Sequence, residues 1–167
     1  FPEGGHLLTG YRQQMAFKCQ RSNGYSGMLE GYIVNQSGDT LTQVKSEHDG
    51  MGTFSFLPAK DNSYYALVRS PGCEEKKIQL PKAEDSGITL SLNQSAGKIR
   101  YQIFSSLPDS QQSDSLYLIG HTRGLLRFLL PISKENHTGV ISSSYFPDGI
   151  SHFLLMDQAG NKLSERL

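Results

Sequence analysis

The chain has no tryptophan, two cysteines and no charge excess, its 16 Lys and Arg matching its 16 Asp and Glu. Each shortage excludes something. Without a basic surplus nothing draws it to nucleic acid or anionic lipid, and no acidic run marks a disordered tail. No apolar run approaches the length of a membrane-spanning helix. Cys19 and Cys73 are far apart and fit no Cys-x-x-Cys pattern, which speaks against zinc and thioredoxin-type chemistry. In "MAFKCQ" Met15, Phe17 and Cys19 share one face of an alternating strand, so Cys19 is expected as a small buried hydrophobe rather than half of a disulfide. Cys73 follows "SPG" at a loop exit.

Motifs of chemistry are equally scarce. The 5 histidines are His6, His48, His121, His137 and His152, and no two have i, i+2 or i, i+4 spacing. No HExxH, EF-hand, Gly-rich phosphate loop or G-x-S-x-G occurs. We therefore expect no enzyme, no catalytic, cofactor-binding or metal residues and no cofactor. One alternative stays open, because a triad assembles in space: a hydrolase site using His48 or His152. Glu74 to Lys77 reads as a solvated strand entry, and Asp148-Gly149 as a turn.

What the sequence does contain is strands and turns. The 167 residues suit one ordinary domain or two small ones. "RQQMAFKCQ", "MLEGYIV", "TLTQVKSEH", "TFSFLP", "NSYYALVRS", "KKIQL" and "GITLSL" are separated by Gly, Asn, Asp and Pro clusters. "PKAEDSG" makes one helical turn at most. "LNQSAG" is small and polar, and strands resume after it, so we place a boundary there, with modules at 1–92 and 93–167. The second half supplies about six strands where a complete immunoglobulin-like sandwich has about seven, which suggests a truncated second module. The expected fold is all-β, two consecutive immunoglobulin-like antiparallel sandwiches. The chain starts at Phe1 without methionine or signal peptide, so we expect a fragment of a longer protein.

"HDGMGTFSFLP" poses the sharpest local question. His48-Asp49 reads either as a polar site or as part of a turn. Asp49 and Gly50 are the residue types of a tight turn with positive φ, and Phe54 and Phe56 point to one face. The turn reading is preferred. Tyrosines such as Tyr25, Tyr32, Tyr64, Tyr65, Tyr101 and Tyr117 also allow a glycan-binding sandwich. Asn35, Asn93 and Asn136 begin glycosylation-type triplets, all in predicted turns.

Three patches, "FPEGGHLLTGYRQQMAFK", "HDGMGTFSFLP" and "YFPDGISHFLLMDQAGNKLSERL", in that order, resemble the macroglobulin-like domains of the alpha-2-macroglobulin superfamily. The resemblance is to a bacterial cell-envelope branch in Bacteroidetes, some members carrying a carboxypeptidase-regulatory-like domain or a TonB-dependent receptor plug. It implies two consecutive scaffold modules, an exported chain in the periplasm or at the outer membrane, and partners among neighbouring domains and other envelope proteins. It implies no nucleic acid, leaves a glycan ligand open, and suggests a monomer or weak dimer. The superfamily's thioester needs Gly-Cys-Gly-Glu-Gln, and "GCEEK" at Gly72 to Lys76 keeps only the first two residues, so Cys73 is not expected to form one.

Overall fold

A computed structural model describes residues 1–108, 115–133 and 136–167. The expected loop "LPDSQQSD" and turn "SKENHT" fall partly on 109–114 and 134–135, outside the described residues. Strands take 55% of the chain and helix 2%, so the expected all-β class holds, with antiparallel sheets packed as sandwiches rather than closed into a barrel. "PKAEDSG" makes no helical turn; Glu84 within it bridges to Leu8. A single short 3-10 turn among the described residues lies at Ser143–Tyr145.

The chain divides into two compact units. Unit 1 comprises Phe1–Pro2 and Leu7–Asp85, and unit 2 comprises Glu3–His6 and Ser86–Leu167. The boundary expected between 92 and 93 is thereby corrected, since it falls inside β7 (Ile88–Ser95). The small polar residues taken for a linker are a hairpin turn. Ala96 and Gly97 have φ of +48° and +73°, and β7 stays paired with β8 (Lys98–Ser105) right up to Ser95 opposite Lys98. Two residues with positive φ match the right-handed twist of the flanking strands. Local composition cannot separate such a turn from a linker.

Unit 1 contains β1 (Gln13–Lys18), β2 (Glu30–Asn35), β3 (Thr40–Lys45), β4 (Met51–Phe56), β5 (Tyr64–Arg69) and β6 (Lys76–Gln79). They form a two-stranded sheet β1-β4 and a four-stranded sheet β3-β2-β5-β6. Because side chains alternate along a strand, Ile33, Val44 and Val68 of the larger sheet turn inward and meet Phe17 and Phe54 of the smaller. A second cluster joins Leu7, Met15, Phe56 and Tyr64.

Unit 2 adds to β7 and β8 the strands β9 (Leu116–Thr122), β10 (Leu125–Ile132), β11 (Thr138–Ser142), β12 (His152–Asp157) and β13 (Lys162–Arg166). They form a three-stranded sheet β11-β8-β7 and a four-stranded sheet β10-β9-β12-β13. Leu90, Leu118 and Leu155, all at 0% exposure, centre a single core with Ile103 and Phe153 around them. The strand that seemed missing from the second module is β7, read from sequence as the end of the first.

The two units share a plan. Both four-stranded sheets run second strand, first, third, fourth, so β2, β3, β5 and β6 correspond to β9, β10, β12 and β13. β1 and β4 correspond to the paired β8 and β11.

Candidate functional site

The most elaborately built polar cluster is the opening segment in unit 2. Glu3, 8% exposed, accepts at Oε1 from the Leu92 amide at 3.2 Å and the Ser91 hydroxyl at 3.3 Å. Arg166 Nη2 stands 3.1 Å from the same oxygen. Thr89 Oγ1 donates to the Glu3 carbonyl, and Ser164 Oγ donates to the Gly4 carbonyl at 2.7 Å while accepting from the Leu90 amide. The amides of Leu90 and Leu92 lie on the edge of β7 away from β8. An open edge offers unpaired donors and acceptors to any other strand, and here Ser164 and Glu3 use those donors. Gly4 is required on two counts: its φ is +76°, and a Cβ there would lie 2.1 Å from Thr89 Oγ1. Such an arrangement seals a sheet edge. Leu92 and Arg166 also line an open pocket of about 490 Å³, and Arg166 Nε is buried without a hydrogen-bond partner.

His48 and Asp49 form the β3–β4 turn. Asp49 and Gly50 have φ of +46° and +75°, and the Met51 amide donates to the His48 carbonyl at 2.8 Å. His48 Nε2 is 3.1 Å from Asp49 Oδ2, but the two side chains are 81% and 69% exposed. Water competes for such a pair. Gly50 earns its place otherwise: its carbonyl accepts from the Cys19 amide, and a Cβ there would lie 2.3 Å from the Cys19 carbonyl.

His152, the other histidine of the hydrolase reading, belongs to a cluster that the sequence did not reveal. Strand register sets it opposite His121, and the rings meet edge to face with centroids 4.9 Å apart. His152 Nε2 is 3.3 Å from Glu165 Oε2, which Lys162 also holds at 2.8 Å. The hydrogen bond from Lys162 keeps the Glu165 carboxyl below its ordinary range, with desolvation opposing and His152 assisting. His121 Nδ1 is buried with no partner. The neighbouring Ser151 hydroxyl bonds Thr122 rather than His152. Among the described residues no group of three or more His, Cys, Asp or Glu has the geometry to hold a metal ion. Cross-strand register would have been the signal for the histidine pair, and residues 121 and 152 are too far apart in sequence to suggest it.

The remaining candidates are dispersed. Tyr64 and Tyr101, at 4% and 5% exposure, are core residues; the Tyr64 hydroxyl accepts from the Ala59 amide, and Tyr101 lies where a side chain on Gly139 would be. Tyr65 lies under Lys77, while Tyr25 and Tyr32 are exposed. Of the glycosylation-type asparagines, Asn93 is in strand β7 rather than in a turn, because the turn is confined to Ala96-Gly97. Asn35 uses its side chain to hold its own loop, accepting from the Ser37 and Asp39 amides. Both cysteines are free, Cys19 half-buried and Cys73 exposed. Cys19 is thus less enclosed than its place on the Met15–Phe17 face suggested. No family model matches the chain, and no curated protein matches it.

Proposed function

We propose that the chain is a non-catalytic scaffold and interaction segment of a larger exported bacterial cell-envelope protein. It would consist of two macroglobulin-like modules, a variant of the immunoglobulin-like sandwich, working in the periplasm or at the outer membrane. One observation carries the reading: the best-built polar cluster, around Glu3, is turned inward to seal the edge of β7. The resemblance of the three sequence patches supports the modules and the compartment. A chain whose polar residues are used to close sandwiches presents its edges and loops to neighbouring domains and other envelope proteins.

The reading makes separable claims. Metal analysis of the purified chain and a hydrolase screen address the absence of catalysis, with no stoichiometric metal and no turnover expected. Turnover that Ala at His152 abolishes would overturn that claim. Fractionation of the source cells with an antibody to the chain addresses the compartment. Recovery with periplasmic or outer-membrane markers is expected, and recovery with cytosolic markers would overturn the localisation.

A further inference from the structure

The two cysteines are far apart in sequence, and the fold of unit 1 brings them to one turn. Cys19 directly follows β1, whereas Cys73 lies between β5 and β6, so each belongs to a different sheet's connections. Yet Cys19 Sγ is 4.0 Å from Ser70 Oγ. Ser70 opens the turn that Cys73 closes, the Cys73 amide donating to the Ser70 carbonyl at 3.0 Å. The ends of such a four-residue turn lie within about 7 Å of each other at Cα. A disulfide spans about 4.4–6.8 Å between Cα atoms. Cys19 therefore already touches the first residue of the turn that ends in Cys73, and a movement confined to that turn would join them.

The two thiols differ in freedom. Cys19 is held from both sides of its backbone: its amide donates to the Gly50 carbonyl at 2.8 Å, and its carbonyl accepts from the Gly27 amide at 3.0 Å. Gly27 also leaves the thiol its place, because a Cβ there would lie 2.8 Å from Cys19 Sγ. Cys73 is exposed, as is every residue from Pro71 to Gln79. Gly72 within the turn has a φ of +75° and open space beside it. An open cavity of about 430 Å³ is lined by Met28 and Leu29, which follow Gly27 in the chain, and by Ser70 to Cys73. A fixed thiol thus stands beside a solvent-facing turn that has room to fold inward.

We propose that Cys19 and Cys73 form an oxidisable pair that closes to a disulfide, tying the β5–β6 turn to the end of β1 and so stapling the two sheets of unit 1 together. The co-reactant is itself a disulfide, that of an exported dithiol oxidase or of oxidised glutathione. The exposed Cys73, as thiolate, attacks the reagent's disulfide, forming a mixed disulfide and releasing one reagent thiolate. The Cys19 thiolate then attacks Cys73 Sγ and expels the second reagent thiolate. The two protein thiols lose two protons and two electrons, and the reagent's S–S bond takes up the electrons and becomes two thiols. The crosslink encloses β2 to β5, a long loop, which is where such a bond constrains the unfolded chain most. Closure in the cell rests on the exported scaffold reading, since an oxidising compartment is what preserves such a bond. The chemistry of the pair does not depend on that reading.

The test treats the whole chain, dilute, with oxidised glutathione, alkylates what remains free and digests it with trypsin without reduction. The expected result is a monomer that has lost both thiols and yields the fragments Cys19–Arg21 and Ser70–Lys76 joined to each other. Melting of unit 1, followed at the amides of β2 and β5, is expected to rise by about 5–15 °C over the same chain in dithiothreitol, with unit 2 unmoved. Cys19→Ser and Cys73→Ser are each expected to abolish both the joined fragments and the rise. The oxidised and reduced parent chains carry the same comparison if either variant folds poorly. Glutathione retained on both cysteines without joined fragments, dimers bridged through Cys73, or joined fragments with no rise in melting would each overturn the proposal. Trapping thiols in the source cells separates the two readings: a chain that closes with glutathione but is recovered from cells with both thiols free tells against export and leaves the pair standing.

Discussion

Ser164 in unit 2 and Ile78 in unit 1 both face inward on the last strands of two sheets with the same order, yet one is 3% and the other 50% exposed. Different segments of this sequence lie on that side of each unit. Unit 2 has β7 and the Glu3–His6 segment on that side, and unit 1 has Phe1–Pro2. Closure also shapes composition. The sealed side of unit 2 tolerates a serine because Leu90 and Gly4 backbone groups use its hydroxyl. The open side of unit 1 keeps an isoleucine.

The strongest way to break this comparison is to weaken each covering element. Leu90→Ala empties a fully buried position in β7 and is expected to destabilise unit 2 by about 2–5 kcal/mol, the range for buried leucine truncations. Phe1→Ala, at the corresponding place in unit 1, is expected to change stability by no more than about 0.5 kcal/mol because its side chain is exposed. Residue-resolved hydrogen exchange separates the two units, and comparable losses would show that Phe1 bears on unit 1 as Leu90 does on unit 2. The adjacent glycines sharpen the point. Gly4→Ala meets Thr89 and the Leu90 carbonyl at a positive φ, whereas Gly5→Ala has the positive φ but open space. The expected cost is about 1 kcal/mol for Gly5→Ala and about 2–4 kcal/mol for Gly4→Ala, where steric overlap adds to the strain.

Glu3→Gln is a smaller perturbation of the same seal. It preserves shape and an acceptor for the Leu92 amide but removes the charge facing Arg166. Arg166 is 31% exposed at its side chain while Glu3 is 8% exposed, so solvent partly compensates the arginine, and we expect a loss of about 1–2 kcal/mol. Urea unfolding of unit 2 checks it, and a loss near zero would mean that Ser91, Thr89 and Ser164 hold the segment without the ion pair.

These positions show what could be read in the sequence. Alternation located every strand within a few residues, since Met15, Phe54, Phe56, Val68 and Leu118 fall on inward faces as the pattern requires, and Asp49-Gly50 announced its turn. Assignment of strands to modules was not legible: "GITLSL" alternates equally well for either neighbour, and only pairing with β8 decides. The role of Glu3 was not legible because its partners, Leu92 and Arg166, lie at distant positions in sequence. The His121–His152 pair was hidden for the same reason.

One further likeness between the units can be tested by acid. The β2–β3 loop "NQSGD" and the β12–β13 loop "DQAGN" use the same bonds with the polar residues exchanged. Asn35 Oδ1 accepts from the Asp39 amide at 2.9 Å and Asn35 Nδ2 donates to Asp39 Oδ2 at 2.8 Å. Asp157 Oδ1 accepts from the Asn161 amide and Asp157 Oδ2 from Asn161 Nδ2, both at 2.8 Å. Those bonds, the side-chain one first, hold the Asp157 carboxyl below its ordinary value of 3.8, against a small desolvation effect. A depressed acid stabilises the fold above its unfolded value, and that contribution is lost as pH falls through the folded value. Asp157→Asn is therefore expected to lower the stability of unit 2 slightly near neutrality, where the charged carboxylate contributes, and to converge on the parent chain as pH falls below 3.8. Asn35→Asp sets two carboxylates against each other and removes the donor to Asp39: unit 1 is likewise expected to be weakened at neutral pH and to recover relative to the parent chain as acid neutralises the pair. Melting curves between neutrality and pH 2.5 decide it, and parallel pH profiles for both variants and the parent chain would mean that these exposed loops do not bear on the stability of either sandwich.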